Sequence, residues 1–155
     1  MGRIECVIFL IFLFTISCSQ TSDEEISADN VVDKTLPGTD SLVVEQLIEK
    51  SNSHYGQGGV HIDITDSYLK EAEDIARKNE NTAQLSRIYN LLGQRFRNRA
   101  QYGTAMTYHQ KALDLATRIE DKVLLANVYN QIGVVYRRID DNPMALEMHV
   151  KALSL

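Results

Sequence analysis

The chain repeats itself. The stretch "YNLLGQRFRNRAQYGTAMTYHQKALDL" starts at Tyr89, and "YNQIGVVYRRIDDNPMALEMHVKALSL" starts 40 residues later at Tyr129. They share Tyr, Asn, Gly, Arg, Ala, His, Lys-Ala-Leu and a final Leu at matching places. Self-similarity at a period of about 20–50 residues marks a repeat architecture, in which each unit hides its apolar face only against its neighbours. This one feature limits the fold more than composition does.

Each copy reads as two helices. Leu85, Ile88, Tyr89, Leu92 and Phe96 step by three and four residues, as one buried helical stripe does. Ala105, Tyr108, Ala112, Leu113 and Leu115 form a second apolar set after the turn "NRAQYG". The pattern recurs at Leu125, Val128, Tyr129, Ile132 and Tyr136, then at Ala145, Met148, Ala152 and Leu153. In the turn "DDNP", Asn142 can cap a helix that opens with Pro143. Asn81 and Asp121 suit the caps of the first helices, with Gln84 placed to complete a capping box. Gly93 and Gly133 fall mid-helix, where glycine costs about 1 kcal/mol against alanine. Their recurrence predicts a helix crossing too close for a Cβ. His109 and His149 recur at the same spacing and are expected to pack or hydrogen-bond between helices.

This spacing of Gly, aromatic, Ala and Ala resembles the tetratricopeptide repeat, over roughly residues 82–155. The period is longer than the usual ~34 residues, and so is similar to the subtype in kinesin light chains and bacterial signalling proteins. The resemblance implies an all-α solenoid of antiparallel helical hairpins. Tyr68, Ala72, Ile75 and Ala76 fall 40 residues before Tyr108, Ala112, Leu115 and Ala116. "DSYLKEAEDIARK" is therefore read as the second helix of a degenerate first repeat over residues 41–80. "SLVVEQLIEKSNSHY" is its first helix, with Ser53 in the glycine's place. Repeats over 81–120 and 121–155 follow, the last without a capping helix.

The opening is of another kind. "MGRIECVIFLIFLFTISCSQ" carries Arg3, an apolar run from Cys6 to Ile16, and small residues. This run of eleven residues, broken only by Thr15, falls short of the ~20 a spanning helix needs, so residues 1–17 read as a signal peptide. "FTISC" resembles the lipobox of bacterial lipoproteins, with Cys18 lipidated, although Thr15 stands where an aliphatic residue is usual. Once Cys6 leaves, Cys18 has no intramolecular disulfide partner. Residues 18–40 read as an acidic, disordered tether, in which Asp23-Glu24-Glu25 resembles the surface-export signals of some Bacteroidetes lipoproteins. The expected location is the cell envelope, membrane-anchored through Cys18; secreted or periplasmic soluble protein is the alternative.

No catalytic constellation or metal site emerges. Gly56, Gly58 and Gly59 lack the lysine of a phosphate loop, and His61 and Asp63 lack a third ligand. No cofactor and no catalysis are expected, and the net charge of −5 argues against nucleic acid. In the family the resemblance points to, first helices line a concave binding surface. There this chain places Arg87, Asn90, Gln94 and Arg97, then Asn127, Asn130, Val134 and Arg137, each set on one helical face. Asn can pair with a peptide backbone and Arg with a carboxylate. Between Asn81 and Leu113 there are four arginines, one lysine and no acid, which favours an acidic peptide or protein. The expectation is a non-catalytic binding scaffold. The alternative is the ligand-sensing N-terminal region of a truncated sensor kinase or transcriptional regulator. The final, uncapped repeat leaves three readings: another protein covers it, the array self-associates through it, or the chain is the front part of something longer.

Overall fold

The computed structural model describes residues 38–55 and 62–155. The expected signal peptide, Cys18, the expected tether up to residue 37 and residues 56–61 with His61 lie outside the described residues, as do the side chains of Ile62 and Asp63. Among the described residues the chain forms six helices: α1 (Thr39–His54), α2 (Ile62–Lys78), α3 (Thr82–Asn98), α4 (Tyr102–Arg118), α5 (Lys122–Arg138) and α6 (Asn142–Leu153). They pair as the hairpins α1–α2, α3–α4 and α5–α6, and neighbouring hairpins pack through α2 on α3 and α4 on α5. The fold is all-α and of the expected repeat type. None of the described helices is long and apolar enough to cross a membrane.

A single device joins the helices. Glu80, Ala100, Glu120 and Asp140 all have positive φ, between 52 and 61°. After α2, Asn81 N–H donates to Ala76 O and Glu80 N–H to Arg77 O. The same two bonds recur after α3, α4 and α5. This is a Schellman ending, which satisfies carbonyls that the helix would leave bare. The next residue caps the following helix. Asn81 Oδ1 accepts from Gln84 N–H at 3.1 Å, and Asp121 Oδ1 accepts from Val123 and Leu124 N–H at 3.0 Å each. Both match their expected roles. Before α6 the cap is Asp141, which accepts from Met144 N–H, and Asn142 is already helical. The proline is tolerated one place further in because that N–H also lacks an intrahelical partner. The capping box at Gln84 does not close, because its side-chain amide instead donates to Ser41 and Glu45 of α1.

Inside each later hairpin the helices come close at the glycine. A Cβ at Gly93 would lie 2.5 Å from the ring of His109, and one at Gly133 2.8 Å from that of His149. So the glycines are required by close approach, and the partners are the two histidines. His109 is wholly buried, and its Nδ1 lies 2.9 Å from Asn90 Oδ1. Since that oxygen only accepts, Nδ1 carries the proton. Burial, with the charge of Arg97 adding to it, pushes the His109 pKa down to about 4. The first hairpin is built differently. Ser53, expected at the glycine position, is exposed. Ser51 is buried instead, and its hydroxyl donates to Thr65 O at 3.0 Å. The small residue that faces α2 in α1 is thus Ser51, two places before a strict step of 40.

The seams between hairpins differ in chemistry. Between α2 and α3, Arg99 donates to both carboxylate oxygens of Asp66 at 2.7 and 2.8 Å. Tyr89 OH donates to Glu73 at 3.1 Å and accepts from Arg77. Arg95, 4% exposed, donates to Ser51 and Asn52 while stacking on Tyr55. The corresponding places at the α4–α5 seam are apolar, with Met106 and Leu113 packed against the core. A continuous apolar centre built on Val44, Leu69, Ile88, Ala112, Val128 and Ile132 runs through all three hairpins.

Candidate functional site: the face shared by the first helices

The expected ligand residues lie on α3 and α5, and their states differ. Near the start of α3, Arg87 pairs with Glu45 of α1 at 2.5 Å. Asn90 is half-buried and holds His109. Gln94 is half-buried one turn further on. Near the end of α3, Arg97 donates to Gln131 Oε1 of α5 at 2.5 Å and to Asn98 Oδ1 at 3.3 Å. Asn98 in turn donates to Tyr55 OH. On α5, Asn127, Asn130, Arg137 and Arg138 are exposed, and Val134 is half-buried between them.

These states divide the face into two halves. Arg87 and Arg97 are ten residues apart, or about 15 Å along a helix. At the Arg87 end the charge is cancelled by Glu45. Arg99 is likewise neutralised by Asp66, and Arg95 is buried. The broad positive field read from the acid-free run between Asn81 and Leu113 therefore contracts. What remains is the far pole, where Arg97, Arg137 and Arg138 converge. Burial lowers the Arg97 pKa, with the charges of Arg138 and Arg137 adding to it, and Tyr55 acts in the opposite sense. None of these three guanidiniums forms an ion pair with the described residues. Uncompensated cations near enough to lower the Arg97 pKa favour an incoming anion.

The pole also contains residues the sequence reading passed over. Gln131 fixes Arg97, Asn98 links it to Tyr55, and Arg138 adds charge. Arg138 stands beside Arg137 and was within reach of sequence reasoning. Gln131 was not, since its contact with Arg97 spans 34 residues and depends on how α3 lies on α5. No group of three His, Cys, Asp or Glu side chains that could hold a metal is found among the described residues.

The architecture is that of a helical-hairpin array with a polar face along its first helices. Residues 84–155, most of α3 and all of α4 to α6, match the family model of the tetratricopeptide repeat. The match supports that family for this part of the chain, and the first hairpin lies outside the matched span. A search of curated proteins found no match.

Proposed function

We propose that the protein is a non-catalytic scaffold that binds an acidic or carboxylate-ending peptide segment of a partner protein at the pole formed by Arg97, Arg137 and Arg138. Tetratricopeptide repeats generally mediate protein–protein interaction, which supports the binding role. The observation that carries the finer reading is the convergence of three arginines without a carboxylate partner among the described residues. Arg97 is held in place by Gln131 and Asn98, so part of its ordering cost is met before a ligand arrives. Asn127 and Asn130 flank the pole with amides that can pair with a peptide backbone.

Arg137 and Arg138 are exposed, so Arg137→Glu with Arg138→Glu leaves the packing intact. Fluorescence anisotropy with peptides ending in Glu or Asp should show at least tenfold weaker binding in the double variant. The basis is the ~1.5–3 kcal/mol of a charged hydrogen bond. An amidated peptide should bind weakly to either form, and a basic peptide weakly to the wild type. Unchanged acidic-peptide affinity in the double variant rules the pole out.

The setting we propose is the bacterial cell envelope, with the chain exported and lipid-anchored through Cys18. The support is the apolar run from Cys6 to Ile16 followed by "FTISC". Radiolabelled palmitate should mark the wild type and not Cys18→Ser. Label that persists in the variant removes the anchor.

A further inference from the structure

Arg97 orients the two amides beside it. A guanidinium only donates, so an amide that meets it must present its oxygen. Arg97 donates to Asn98 Oδ1 at 3.3 Å and to Gln131 Oε1 at 2.5 Å. Both amide nitrogens are thereby turned away from Arg97, and they are used differently. Asn98 Nδ2 donates to Tyr55 OH. Gln131 Nε2 has no partner among the described residues and stays open to solvent. Gln84 makes the contrast, since its Nε2 is taken up by Ser41 and Glu45 of α1.

Position gives the free N–H groups of Gln131 a use. Gln131, Val134 and Arg138 step by three and four residues and so share one face of α5. Gln131 is half-buried and bonded to Arg97 across the α3–α5 contact. Arg138 stands near enough for its charge to act on Arg97. A group seated on Arg97 therefore meets further donors, while the oxygen of the Gln131 amide is already turned to Arg97. Such a set suits a carboxylate, which only accepts. It disfavours a carboxamide, whose own N–H groups would face donors.

We propose that Gln131 is a ligand-contacting, specificity-determining residue of the arginine pole: Arg97 fixes its Oε1, and its Nε2 donates to an oxygen of the carboxylate that Arg97 holds. This rests on the peptide-binding reading of the pole and adds to it the residue that tells a free carboxyl end from an amidated one.

The test compares peptides of one sequence ending in Glu, with a free or an amidated C-terminus, by fluorescence anisotropy. Gln131→Leu should weaken binding of the free form about fivefold and leave the amidated form nearly unchanged, as expected for one lost hydrogen bond. Gln131→Glu keeps an acceptor for Arg97 but replaces the free N–H groups with a carboxylate. It should lose the free form by about tenfold or more, whereas a residue that merely clips α5 to α3 would keep the affinity. In the ¹⁵N-labelled wild type, the Gln131 side-chain amide signals, assigned by their absence in Gln131→Leu, should shift as the free form is added. Circular dichroism should show the same helix content in both variants. Wild-type affinity for the free form in either variant, equal loss of both peptide forms in Gln131→Leu, or unmoved amide signals overturns the proposal. If Arg137→Glu with Arg138→Glu still loses the peptide in that case, the pole itself stands. If that double variant binds as the wild type does, or the wild type binds neither peptide, the reading of the pole falls as well.

Discussion

A methyl group at Gly93 would meet a ring that has no room to retreat, because His109 is wholly buried and held by Asn90. Gly93→Ala is therefore expected to destabilise the protein by about 1–2 kcal/mol, since overpacking outweighs the ~1 kcal/mol gain in helix propensity. Gly133→Ala should cost less, as His149 lies slightly further away and is only half-buried. Urea midpoints of both variants give the comparison. His109 adds a pH dependence. It titrates near 4 in the fold and near 6.5 when unfolded, so between those values the unfolded chain holds a proton the folded chain lacks. Stability should be full above about pH 6.5 and fall by up to about 3 kcal/mol as pH drops to 4. His109→Gln should flatten that slope in urea titrations across the range.

At the scale of elements, the turns decide stability more than their composition suggests. Ala100 sits at φ 58°, where a Cβ is strained and glycine is not. Ala100→Gly is expected to raise stability by about 0.5–1 kcal/mol, less than the full relief because glycine also loosens the unfolded chain. Asp121→Ala removes an acceptor shared by two amides and should cost about 1 kcal/mol. Thermal melts resolve both. The helices, the glycine crossings and two of the caps were legible because spacing along one chain carries them. The left-handed residues were not, since none of Glu80, Ala100, Glu120 and Asp140 is the glycine or asparagine that usually marks such a place, and they reveal themselves only by recurring every 20 residues. The half of the site that closes on itself was hidden for a related reason. Arg87 meets Glu45 and Asn90 meets His109 through contacts between helices, and helical periodicity tells which face a residue is on, not which neighbour is waiting there.

At the scale of the whole molecule, ion pairs and buried polar bonds add to the apolar centre where the first hairpin meets the second, and the α4–α5 seam has apolar residues in those places. Asp66→Asn would leave the half-buried Arg99 without its carboxylate and is expected to loosen that attachment by about 1–3 kcal/mol. Repeat arrays transmit such losses mainly to adjacent units. Amide hydrogen exchange should thus quicken about tenfold or more in α1 and α2, while α5 and α6 keep wild-type protection. Uniform quickening across all helices would show instead that the array unfolds as one body.

Asn81, Gln101, Asp121 and Asp141 each donate the N–H that closes one helix and accept, at their own carbonyl, the bond that opens the next. Such a residue belongs to two helices at once. Inserting one residue beside Asp121 would break this shared pair of bonds and displace α5, with its arginines, from Arg97. The array can therefore tolerate changed letters along its helices far better than a changed length at these four joints.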